Sequence, residues 1–122
     1  MPVITPNDHL RHEIPGARFD TLASPLLGSA ETSVWRLRLE PYTPGLPHRV
    51  TREEIFVVLS GSATATLDGR AEPLVAGSSL VLPAEVEFSL ATDEDGCEAI
   101  VCMPVGGQGI TDGEPFTPPW AL

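Results

Sequence analysis

Residues Pro41–Gly61, PYTPGLPHRVTREEIFVVLSG, and Ala76–Thr92, AGSSLVLPAEVEFSLAT, decide the fold of this chain. In the first stretch a turn-rich segment from Pro41 to Pro47 gives way to EIFVVL at residues 54–59, apolar on both faces after its glutamate. Alternate side chains of a strand point to opposite faces of a sheet, so this run reads as a strand covered on both sides. Working outward, prolines and glycines, 13 and 11 in 122 residues, interrupt the chain so often that no window sustains a helical apolar period. Short alternating runs between turn signals replace it, and an all-β domain is expected.

Several of those runs are specific. Segment 33–40, SVWRLRLE, sets Trp35, Leu37 and Leu39 on one face and Arg36, Arg38 and Glu40 on the other. Segment 62–75 alternates Ala63, Ala65 and Leu67 with Ser62, Thr64 and Thr66, then reverses at Asp68-Gly69, a favoured pair for a tight hairpin. Further strands are expected at 79–82, 85–91 and 97–103.

The two quoted stretches resemble the paired motifs of the cupin family. In the first motif, G-x5-H-x-H-x3-4-E-x6-G, His48 stands at the first histidine, Val50 at the second, Glu54 at the carboxylate, Gly61 at the closing glycine and Tyr42 at the opening one. In the second, G-x5-P-x-G-x2-H-x3-N, Gly77 and Pro83 are kept, while Glu85 replaces a glycine, Phe88 the histidine and Thr92 the asparagine. Fifteen residues separate the motifs, a spacing typical of compact bacterial members. The resemblance implies a cupin-type jelly-roll β-barrel. A chain of this length fits one such domain over residues 1–122, with a core at about 14–104 and a C-terminal tail, 105–122, packed on the barrel.

The family's site holds a divalent metal through three imidazoles and one carboxylate. Here only His48 and Glu54 remain, so no cofactor is expected, and a divalent metal, if held, would be held weakly by that pair. A third ligand would have to come from elsewhere, with His9, His12 and Cys102 as candidates. Glu85 and Glu87 are out of phase with Phe88 and point outward if Phe88 points in. Should Glu54 approach His48, its carboxylate would hold the imidazole in one tautomer and raise its basicity, the pairing used in acid and base catalysis. Val50, Phe56, Val58 and Phe88 would then wall a mostly apolar pocket for a small organic ligand.

Three functions follow from that reading. One is a metal-independent isomerase or cyclase, or a binder of a small molecule, with His48 and Glu54 as the acting pair. Another is a metal-dependent, dioxygenase-like enzyme with an unusual ligand set. The third is a noncatalytic binding protein.

Charge narrows the partners. Seventeen acidic residues face seven arginines and no lysine, a net charge of −10 that repels nucleic acid and excludes lysine Schiff-base chemistry. The first residues lack a basic segment followed by an apolar run, and no segment approaches membrane-spanning length, so a soluble cytoplasmic protein without membrane contact is expected. Cys97 and Cys102, five apart in one strand, point to opposite faces and are expected as free thiols rather than a disulfide. With Glu54, Phe56 and Val58 inward, Ile55, Val57 and Leu59 face outward and need a cover, from a homodimer partner or from the chain ends. Ile110, Phe116 and Trp120 are the apolar residues that would anchor the tail.

Overall fold

The computed structural model describes all 122 residues, and its regular structure is almost entirely β. Strands β1 (Leu10–Ile14), β2 (Ala17–Ala23) and β3 (Thr32–Leu39) lead to the short β4 (Arg49–Val50) and the long β5 (Glu54–Leu67). Then come β6 (Arg70–Val75), β7 (Ser79–Leu82), β8 (Phe88–Ala91), β9 (Cys97–Pro104), β10 (Gly109–Thr111) and β11 (Glu114–Phe116), with a 3-10 turn at Pro119–Ala121. No helix is long and apolar enough to cross a membrane.

β5 organises the fold by belonging to two sheets. Its first half completes the antiparallel order β1-β2-β3-β9-β5, with β7 paired along Glu54–Val57. Beyond Gly61 it leaves that sheet to pair with β6 on one side and β8 on the other. The change of sheet falls where pairing with β9 shifts register between Val58 and Ser60. There Gly61 has φ +72°, and a Cβ on it would strike the Gly96 carbonyl, so the motif's closing glycine is needed on both counts. Asp68 and Gly69, with φ +47° and +83°, form the tight turn expected between β5 and β6.

The second layer grows outward from β8. His48 and Phe88 form an isolated antiparallel bridge, and the adjoining β4 pairs with β10, which pairs with β11. The layers face each other as a jelly roll whose edges do not close into a continuous hydrogen-bonded ring. Period-2 alternation sets the interior: along β9 Cys97, Ala99, Val101 and Met103 are buried while Glu98, Ile100 and Cys102 are half-buried on the other face. Trp35 and Leu37 point inward as expected, and Arg36 and Arg38 point outward toward Glu98 and Glu40. Both cysteines are free, and burial pushes both thiols up.

One expectation needs correction. The strand foreseen at 85–91 begins at Phe88, because Glu85 adopts φ +69° and turns the chain instead of extending it. The tail is ordered throughout: β10 and β11 reverse at Asp112-Gly113, and the final turn is pinned by hydroxyl groups. Thr21 Oγ1 donates to the Trp120 carbonyl at 2.6 Å and Ser33 Oγ to the Ala121 carbonyl at 2.8 Å. Trp120 stacks on Phe19 with ring centroids 3.6 Å apart. Of the three foreseen anchors Trp120 carries this docking, whereas Ile110 is half-buried beside Arg49 and Phe116 is 40% exposed.

Candidate functional site

A cavity of about 290 Å3 opens between the two layers. Strand alternation brings His48, Val50, Glu54, Phe56 and Phe88 to its wall, so the five residues assigned there by the motifs and by strand phase converge in space. Val58, the sixth, is buried one alternation deeper in the core and does not line the cavity. Residues outside the motifs complete the wall: Ile14, Ala17 and Phe19 from the N-terminal hairpin, and Gly109, Thr111, Phe116, Pro118 and Trp120 from the tail. Of these, Trp120 and Phe116 carried a signal in sequence, as bulky apolar residues in a Gly- and Pro-rich segment.

His48 is fixed by its backbone and by its ring. The His48 and Phe88 backbones exchange both of their hydrogen bonds at 2.9 Å, and the two rings lie 4.2 Å apart at 46°. Nδ1 donates to the Leu46 carbonyl at 2.8 Å, since a carbonyl only accepts. In the neutral ring that leaves Nε2 with its lone pair. The expected pairing is therefore corrected: His48 and Glu54 share the cavity without an ion pair, and the Leu46 carbonyl holds the tautomer.

Glu54 is 6% exposed and starts β5 opposite Leu82. No cation or hydrogen-bond donor offsets its burial, and burial alone pushes its carboxyl up to about 8. At neutral pH the group is chiefly a carboxylic acid, with a hydroxyl able to donate a hydrogen bond to a guest in the cavity.

The replaced motif positions keep their old geometry. Tyr42 and Glu85, standing where the family motif has glycine, retain left-handed backbones with φ +57° and +69°. That conformation costs a non-glycine residue about 1–2 kcal/mol. Phe88, 1% exposed, fills the last histidine's place and meets Phe56 edge-on at 5.9 Å.

The donor set does not fit a four-ligand metal centre. Nowhere do three or more of His, Cys, Asp and Glu come together in a metal-binding group, and His9, His12, Cys102, Glu85 and Glu87 all lie off the cavity wall. His48 and Glu54 are the two donors on that wall, with Val50 and Phe88 where two further imidazoles would stand.

Comparison with known proteins agrees with this fold. Residues 35–105 match the family described as Cupin domain. The fold is similar to the polyketide cyclase RemF from Streptomyces resistomycificus, at 20% identity and TM-score 0.74, over 94% of this chain and 81% of that one. It is also similar to KdgF from Halomonas sp., at 18% identity and TM-score 0.72, over 84% and 94% of the two chains. Salicylate 1,2-dioxygenase from Pseudoaminobacter salicylatoxidans aligns at 17% identity and TM-score 0.71, over 83% of this chain and 30% of that one. No curated protein matches the chain by sequence.

Proposed function

The chain belongs to the cupin domain family, and on that premise we propose that its cavity binds a small organic carbonyl compound and moves protons on it without a metal, as an isomerase or cyclase does. The observation that carries this reading is the pair of unlike groups on one wall: a lone-pair nitrogen, Nε2 of His48, and a protonated carboxyl, Glu54. A proton acceptor and a proton donor set on one wall is the arrangement that general acid and base catalysis uses. In the proposed step Nε2 removes a proton from the carbon next to the carbonyl while Glu54 gives its proton to the carbonyl oxygen, leaving an enol. Return of a proton to a different carbon isomerises the compound. Attack of the enol carbon on a second carbonyl of the same molecule closes a ring. Neither outcome needs an oxidant. Similarity to a polyketide cyclase supports ring closure, and similarity to salicylate 1,2-dioxygenase is what favours the metal-dependent alternative.

Deuterium exchange at the methyl groups of acetophenone and of cyclohexyl methyl ketone tests the step in metal-free buffer. The wild-type protein should accelerate exchange of whichever ketone binds, and His48→Gln should slow it by about 10²-fold or more. Exchange that vanishes on adding a chelator would replace this reading by the metal-dependent one. Binding without exchange would leave a noncatalytic binding protein.

A further inference from the structure

We infer that the ligand is an uncharged aromatic carbonyl compound of one or two rings, held between aromatic side chains and selected by one hydrogen-bond donor and one acceptor. The inference rests on the reading above for the parts played by His48 and Glu54. Its own ground is how the chain places its aromatic residues. All four phenylalanines and both tryptophans line this one cavity, contributed by β2, β3, β5, β8, β11 and the final 3-10 turn. They come from both layers and from the tail, so the cavity has aromatic surface on several sides. Away from it the core is aliphatic, with Leu37, Val58, Leu74, Leu80, Leu82 and Val101. Aliphatic side chains such as Leu39, Val50 and Leu90 share the wall, so the rings stand as several aromatic faces within an apolar surface. Rings that meet face to face or edge on gain attraction beyond the area they bury, which a flat conjugated ligand shares and a saturated one does not.

The charge pattern removes anions. None of the 21 residues lining the cavity is arginine, and the chain has no lysine. Arg11 and Arg36 are engaged on the outside with Asp20 and Glu98, at 2.7 and 3.5 Å. His48 and Glu54 are the two titratable groups on the wall, and an anionic ligand would set a second acidic group beside the unpartnered Glu54. Recognition of carboxylate or phosphate ordinarily uses an arginine fork, which is missing here. The roughly 290 Å3 volume sits at the low end for ligand cavities, hence one or two rings.

Calorimetry at pH 6.5 with three compounds of matched skeleton tests the class: 2-acetylphenol, salicylate and 2-acetylcyclohexanol. The expected result is 2-acetylphenol binding at least about tenfold tighter than either of the others: 2-acetylcyclohexanol loses several ring contacts at two- to tenfold each, and salicylate brings a carboxylate that no arginine receives. Trp120→Leu, or Phe116→Leu should the first variant fold poorly, should weaken 2-acetylphenol two- to tenfold more than it weakens 2-acetylcyclohexanol. Salicylate binding as tightly as 2-acetylphenol would overturn the uncharged class. Equal binding of 2-acetylcyclohexanol, or no 2-acetylphenol binding at millimolar concentration, would overturn the aromatic class. These failures are separable from failure of the proton-transfer step. A saturated ketone exchanged in a His48-dependent way sinks the class alone, whereas 2-acetylphenol bound in a protein that exchanges neither ketone sinks the step alone.

Discussion

The two faces of β5 are built from the same kind of residue and finish differently. Inward, Glu54, Phe56 and Val58 are buried; outward, Val57 is 38% and Leu59 44% exposed. Across the outer face the register lines up Val34, Cys102, Ile55 and Val81 in one row through β3, β9, β5 and β7. Both termini serve the inner side instead. The N-terminal hairpin extends the edge of the large sheet and lends Phe19 to the cavity, while the tail closes that cavity with Phe116 and Trp120. An apolar strand face therefore says that a cover is needed, and only the course of the termini says which face the chain covers itself. For the outer row, we propose that a second copy of the chain is the cover.

The largest effect expected on the inner face comes from Glu54. With its carboxyl near 8 in the folded protein and near 4.5 in the unfolded chain, the folded state keeps a proton that the unfolded state has released between those values. The stability that Glu54 contributes should be complete below about pH 4.5 and be lost as pH rises to about 8, on the order of a few kcal/mol, since each tenfold difference in proton affinity between the two states is worth about 1.4 kcal/mol. Urea denaturation of wild type against Glu54→Gln should show that difference opening across the window, the variant being favoured at the alkaline end. A difference that stays flat would mean the inner face carries an ordinary, solvated carboxylate.

Removing the self-made cover is the next test. Trp120→Ala discards the stack on Phe19 and one wall of the cavity, for about 3 kcal/mol of folding stability. A loss under about 1 kcal/mol in thermal or urea denaturation would make the tail an accessory and weaken the contrast between the faces. On the outer face Val57→Glu should change the fold of the single protomer least, by about 0.5 kcal/mol, since the site is exposed there. In an assembled pair it would bury an unpaired charge at a cost of several kcal/mol. Sedimentation should then show wild-type dimers and variant monomers. Wild-type monomers, or a variant that stays dimeric, would leave the outer row without its proposed partner.

Much of this was legible in the sequence where a period or a turn had room to show. Strand 79–82 and the Asp68-Gly69 reversal appear where alternation and turn chemistry placed them. β4, β10 and β11 are two or three residues long, too short to display a period, and they escaped notice. For the candidate site, motif spacing picked out His48, Val50, Glu54 and Phe88 and strand phase picked out Phe56, all on the cavity wall, while Val58, chosen by the same phase, lies deeper in the core. The hold of the Leu46 carbonyl on His48 and the neutral state of Glu54 arise from how the chain closes around them. Neither leaves a trace in residue order. Nor does the gathering of Phe19, Trp35 and Trp120, which lie far apart in the chain, around one space.

That gathering makes the protein its own optical reporter. The chain has two indoles, Trp35 and Trp120, and both look into the cavity, while its single tyrosine, Tyr42, is exposed and off the cavity wall. Emission excited in the red edge of the protein band therefore comes from the cavity wall. A guest entering there displaces solvent from the half-buried Trp120, while Trp35, 2% exposed, stays dry throughout, so its arrival can be followed in the unlabelled protein as a change in one of two emitters.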